Sequence, residues 1–189
     1  MEADKLRGSY IDPNAGKVTV EAYGETRLTA QRFDPSTREA VAGRFRRHVC
    51  PQLGGRQLRL VRPSTSQAWL RGLGLADSTT KVVFANPSTL FAAAVNDELI
   101  VRNPCRSPSV RRPRAEQRKV IPWTADRVQA VHDELPERYR IIAVPGAGLG
   151  LRQGEIMGRS ADDIDFPGKE IRIVRQVKLF GARRVFAPS

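Results

Sequence analysis

Apolar positions change their period along this chain, and the changes mark out its parts. From Thr19, Val20, Tyr23 and Leu28 fall on one side of a helix that Gly24 weakens. Asp34-Pro35 and the capping box Ser36-x-x-Glu39 predict the next start, with Val41, Phe45 and Val49 as its stripe and Pro51 and Gly54-Gly55 as its end. Ser64-x-x-Gln67 predicts a short helix burying Ala68, Trp69, Leu70 and Leu73, stopped at Gly72 and Gly74. "DSTTKVVFANPSTLFAAAVNDELI" predicts a longer one with Val83, Leu90, Phe91, Ala94 and Val95 inward. Pro87 sits in its middle. An interior proline costs about 3 kcal/mol of helix, so a kink or break is expected there.

These four helices form a small all-α domain over 18–101. Before it, 1–17 carries turn formers (Asp12-Pro13-Asn14, Ala15-Gly16) and reads as a lead-in hairpin or extended segment. After it, 102–119, "RNPCRSPSVRRPRAEQRK", has no apolar period and reads as a basic, proline-rich linker. A second domain fills 120–189. Thr124 caps a helix with Val128, Val131 and Leu135 inward, and Pro136 breaks the chain. After "RYRIIAV" and a glycine-rich stretch, "DDIDFPGKEIRIVRQVKLFGARRVFAPS" alternates like strands joined by turns at Gly168-Lys169 and Gly181-Ala182. Helices followed by a β-meander indicate α+β, in a chain that is mainly α.

Charge then narrows the function. Thirty-two Lys and Arg face 20 Asp and Glu, a net +12 over 189 residues. A domain this basic meets a polyanion, nucleic acid or an anionic membrane. From Ala40 to Ala76 there is no acid, while arginines recur; Asp and Glu gather in 116–170. A solvated face mixes both signs. Arg44, Arg46, Arg47, Arg62, Arg71, Lys81, Arg111, Arg112 and Arg114 are therefore the candidate phosphate contacts, with double-stranded DNA as the partner. A membrane partner is not expected, because the apolar stripes are needed for a core. No apolar run approaches about 18 residues and no leader-like apolar segment opens the chain, which points to the cytoplasm. Cys50 and Cys105, with only His48 and His132 beside them, do not make a zinc site; reduced thiols, no metal and no small-molecule cofactor are expected.

The glycine-rich stretch "GLGLRQGEIMG", Gly148–Gly158, has no lysine for a Walker loop and misses the third glycine of a dinucleotide fingerprint. Arg152 read alone is a solvated residue in the first turn of a helix. Cations are disfavoured there unless an anion sits opposite, where guanidinium and free N–H groups together suit a phosphate. Glu155, three residues on, is placed to pair with Arg152.

"GAGLGLRQGEI" followed by "ADDIDF" and "EIRIVRQVK" resembles the first catalytic motif of the tyrosine recombinases, the phage-integrase family. The helical domain resembles that family's SAM-like core-binding domain. "STREAVAGRFRRHVCPQLGG", "RPSTSQAWLRGL" and "IVRNPC" stand in the order of an actinobacterial phage-type integrase. The resemblance implies that Arg152 binds the scissile phosphate and stabilises the pentacoordinate transition state, that Glu155 supports it, and that two domains clamp duplex DNA with the linker running along it. The family continues to a hairpin lysine, a His-x-x-Arg pair, a further His or Trp, and a tyrosine nucleophile. Lys169 and Lys178 do not match that lysine, and Tyr10, Tyr23 and Tyr139 all precede Arg152. Pro145, Arg159 and Ser160 stand where apolar residues belong. The expectation is a C-terminally truncated, catalytically silent DNA-binding protein. A rival is a decoy that binds a full-length integrase. A helix-turn-helix regulator is excluded by the long connection "LGGRQLRLVRP".

Overall fold

In a computed structural model, described for residues 15–114, 119–180 and 182–189, the chain divides into two compact units, Met1–Arg118 and Lys119–Ser189. The expected lead-in hairpin over 1–14 lies outside the described residues.

The first unit is built from four principal helices. Helix α1 (Val20–Ala30) starts where Thr19 Oγ1 accepts from the Ala22 amide, and it buries Val20 and Tyr23. Helix α2 (Pro35–Arg44) is capped by Asp34, whose carboxylate accepts from the Ser36 N–H. Of the two expected start signals Asp34 is the cap and the Ser36 box is not used, and Pro35 takes the first helical position, where no N–H is needed. Beyond Arg44 the helix widens into π winding over Phe45–Gly54 and passes through Pro51. Phe45, Val49 and Leu53, all nearly inaccessible to water, hold that segment on the core, and their burial outweighs the local disruption expected of Pro51. Gly24 is why the two helices can touch: a Cβ there would sit 2.3 Å from the Phe45 ring.

Helix α3 (Pro63–Arg71) begins one residue ahead of the expected Ser64 cap, and it buries Ser66, Trp69 and Leu70 but leaves Ala68 exposed. Trp69 donates its indole N–H to the His48 carbonyl (2.8 Å) and stacks on Phe84 at 6.3 Å between centroids. Helix α4 (Asp77–Asn96) is continuous through Pro87, against the expected break. Pro87 is itself among the fully buried side chains, on the helix that also buries Val83, Phe91 and Ala94. Tertiary burial here overrides the intrinsic helix cost.

Part of the stretch expected to be a free linker belongs to this core. Pro104–Arg106 form a 3₁₀ turn with Pro104 and Cys105 buried, and Val110 is 5% exposed. Asn103 ties it down, accepting from the Cys105 amide and donating to the Ser88 carbonyl (2.8 Å). Its apolar residues are too few for a period, yet each meets a hole in the bundle.

The second unit carries α5 (Ala125–Glu134), α6 (Glu137–Arg140), α7 (Ala143–Leu149) and α8 (Gln153–Met157), then four short strands. The expected meander is realised as two antiparallel hairpins. β1 (Ile164–Asp165) pairs with β2 (Glu170–Ile171), and β3 (Arg175–Phe180) with β4 (Arg183–Pro188), Val177 opposite Phe186. At the first turn Lys169, not Gly168, takes the left-handed conformation (φ 54°).

Candidate nucleic-acid interface and the Arg152 site

Arg152 is held by backbone geometry on both sides. Upstream, α7 contains Pro145 in its first turn, where a missing N–H breaks no helical bond. The helix ends at Gly150, whose φ of 66° only glycine adopts at little cost. That reversal leaves Arg152 extended (φ −71°, ψ 152°) as the residue immediately before α8, not in its first turn as expected. Downstream, Gly154 and Gly158 lie on the face of α8 turned to β3. A Cβ on Gly154 would stand 2.6 Å from the Val177 carbonyl oxygen, and one on Gly158 would stand 2.8 Å from that of Arg175. The glycines of "GLRQGEIMG" therefore have two jobs: one turns the chain, two let helix and strand backbones touch.

Glu155 completes the arrangement. Its Oε2 accepts from the Arg152 backbone N–H (2.8 Å) and its Oε1 from Arg152 Nη1 (3.1 Å). The carboxylate is 12% exposed while the guanidinium is 83% exposed. Glu155 is held below the ordinary carboxylate range, first by the Arg152 backbone N–H, then by the Arg152 side chain and the nearby charge of Arg159. The result is a cation displayed to solvent on a fixed base.

The two residues that break the apolar pattern find different uses. Ser160 precedes a short 3₁₀ turn, its amide donating to Asp163 Oδ2 (2.8 Å), which also receives Arg175 Nη2 (2.8 Å). Arg159 donates to the Arg172 carbonyl at 3.5 Å, and its buried Nε and Nη2 have no hydrogen-bond partner among the described residues.

In the first unit the candidate phosphate contacts separate into groups. Arg111, Arg112 and Arg114 join Arg106, Ser107 and Val110 around a concave groove of about 700 Å³ with no acid among the described residues of its wall. The Arg111 amide donates to Gln67 Oε1 (2.8 Å), which fixes the segment to α3. Sequence reasoning omitted Arg106, whose place follows from the buried turn it closes. Arg47, Arg62, Arg71 and Lys81 are exposed on the helices and loops. Arg46 is exposed too but makes a two-point pair with Glu25 (3.0 and 3.1 Å). Arg44 is half-buried, its Nε without a partner. Arg38 donates to the Leu28 and Gln31 carbonyls and so finishes the end of α1.

The thiols are quiet: burial pushes Cys105 up to about 11, and burial with Glu21 and Glu25 nearby does the same for Cys50. Among the described residues no three His, Cys, Asp or Glu side chains gather as metal ligands, and no helix is long and apolar enough to cross a membrane.

Comparison with known proteins places this geometry. No protein-family model matches the chain. It is 31% identical over 173 residues to the integrase of Mycobacterium phage L5, covering 90% of this chain and 45% of that protein. It is 26% identical over 153 residues to a tyrosine recombinase XerC-like protein of Caldanaerobacter subterraneus subsp. tengcongensis, covering 76% and 39%. The fold superposes on the Tn1549 transposon integrase with a TM-score of 0.76 at 18% identity, covering 90% of this chain and 59% of that one. The chain spans less than half the length of these curated relatives. Its curated relatives thus include a phage integrase and a XerC-like tyrosine recombinase, and its mainly α fold is of the integrase type.

Proposed function

We propose that this chain is a DNA-binding portion of an integrase, gripping duplex DNA through its first unit and presenting Arg152 to a backbone phosphate. The observation that carries the reading is the groove lined by Arg106, Arg111, Arg112 and Arg114, four guanidinium side chains on one short stretch. Arginine forks bind phosphate oxygens in pairs, and each neutralised phosphate releases counterions. The Tn1549 integrase, similar in fold, is known in complex with circular intermediate DNA, which supports the same class of partner here.

The second part of the proposal concerns Arg152. A guanidinium fixed by Glu155 yet open to solvent suits a phosphate oxygen and stabilises the charge that builds up there during phosphoryl transfer. Cleavage also needs a nucleophile, and no tyrosine follows Arg152 in this sequence.

Duplex binding followed by fluorescence anisotropy across a salt series tests the reading. Affinity falls steeply with salt, by about 0.9 in the logarithmic slope per phosphate contact. Replacing Arg111, Arg112 and Arg114 together by alanine lowers that slope by close to three contacts' worth, roughly 2.7. Arg152→Ala leaves binding almost unchanged. A flat salt dependence, or a slope untouched by the triple change, removes the groove from the interface.

A further inference from the structure

Arg159 interrupts the apolar pattern of its segment, and neither the arginine groove nor the Arg152–Glu155 pair uses it. The side chain is half-buried. Two of its three guanidinium nitrogens, Nε and Nη2, are removed from water and bond nothing among the described residues. The third, Nη1, reaches the Arg172 carbonyl at 3.5 Å, a long and weak bond. Charged donors left without partners inside a protein are costly to keep. A local rule broken at such a cost is characteristic of functional sites.

The neighbouring acids are engaged elsewhere. Gly158 keeps right-handed helical geometry and the Arg159 amide donates to the Ile156 carbonyl (3.4 Å), so Arg159 stands about one turn beyond Glu155. Both Glu155 oxygens, however, accept from Arg152. Asp163 is paired with Arg175 (2.8 Å) and also accepts from the Ser160 amide, and Asp162 accepts from the Ser160 hydroxyl (3.4 Å). Among the described residues Arg159 takes part in no ion pair. Arg152 cancels Glu155 and Arg175 cancels Asp163, which leaves Arg159 as the surplus cation of this cluster.

We infer that Arg159 is the charge that draws an anion to Arg152: a partly buried guanidinium that the protein leaves unneutralised, whose counter-charge is a phosphodiester monoanion bound at Arg152. This deepens the proposed function and rests on its reading of Arg152. An ion pair that is neutral as a unit attracts an incoming anion weakly, because Glu155 repels what Arg152 attracts. A further cation behind the pair tips that balance, and being partly buried it is screened by salt less than the exposed cations of the first unit. Glu155 already feels this charge, which helps to hold it below the ordinary carboxylate range. The role is electrostatic and needs no contact between Arg159 and the phosphate.

The test titrates the full 189-residue chain with dimethyl phosphate, the smallest phosphodiester, and with chloride as the reference anion. The Arg152 Nε–Hε and Arg111 amide resonances are followed by NMR. In the unchanged protein the Arg152 signal moves further with the phosphodiester than with chloride. Arg159→Met, unbranched and uncharged, lowers the apparent association at Arg152 about fivefold or more, the order expected on losing one partly buried charge nearby. The Arg111 response stays as it was. Arg159→Lys keeps the charge and most of the association, which separates charge from shape. Amide exchange across 153–157 slows in Arg159→Met, because an unpaired buried charge is gone.

Two outcomes overturn the inference while leaving the Arg152 reading in place: an Arg152 response in Arg159→Met equal to that of the unchanged protein, or equal losses in the Met and Lys variants together with faster exchange, the mark of a purely structural side chain. If dimethyl phosphate moves no Arg152 resonance in the unchanged protein, Arg152 takes no phosphate, and that part of the proposed function falls together with the inference.

Discussion

The two units belong to one chain, yet they use their apolar residues in opposite ways. In the first, Val20, Val49, Val83 and Phe91 are completely removed from water, and α1, the extended α2, α3 and α4 share one core. In the second, Ile141, Val144, Phe166 and Phe186 are between 65% and 75% exposed, and among the described residues only Gly158 is buried. The stripe Val128, Val131, Leu135 (i, i+3, i+7) is helix-spaced just as Val41, Phe45, Val49 (i, i+4, i+8) is. Periodicity therefore states which face wants burial, and only the presence of a facing element satisfies it. A unit held mainly by hairpins and short helices is marginal in water.

Substitutions can break that contrast. The largest effect is expected at Trp69, whose replacement by alanine removes a stacked, hydrogen-bonded ring from the core and costs about 3–5 kcal/mol. Val128→Ala in the other unit costs under about 1 kcal/mol, as at surface positions. Urea unfolding of both variants checks the pair, and equal losses would mean that the second unit has a core after all.

Gly158→Ala comes next. Its Cβ would meet backbone atoms of Arg175 and Gln176, which cannot swing aside as a flexible side chain could. A cost of about 1–3 kcal/mol within the second unit is expected, read as shifted amide resonances along β3 and at Arg152 with the first unit unmoved. Unchanged β3 resonances would show that the α8–β3 contact is not what fixes Arg152.

The smallest effect belongs to Glu155. Because its native pKa is lowered, its contribution is complete above the ordinary glutamate value of about 4.3 and disappears as pH falls through the lower native value. The Arg152 amide resonance should titrate below the ordinary range, and Glu155→Gln should abolish that titration. Titration at or above the ordinary value would separate Glu155 from Arg152.

Much of the first unit was legible because helix stripes are local. Trp69, Leu70, Phe91 and Ala94 were readable from spacing alone. Phe84 was not: its partner is Trp69, fifteen residues away in the chain. Pro51 and Pro87 read as interruptions because propensity counts a lost hydrogen bond and cannot count the core that receives the helix. Arg46 read as a free cation because Glu25 lies twenty-one positions earlier, on another helix. The pairing of Arg152 with Glu155, by contrast, needed one turn of chain and was visible in the spacing.

By itself the amino-acid sequence determined where helices begin, which faces are apolar, the acid-free run of arginines, and the Arg152–Glu155 spacing. All of these depend on neighbours within a turn or two, where covalent geometry settles the distance. Only the tertiary structure decided that Pro87 stays helical, that 104–110 joins the core, and that Gly154 and Gly158 press against β3. Those outcomes depend on surfaces far apart in sequence, and their energies exist only once the surfaces have met.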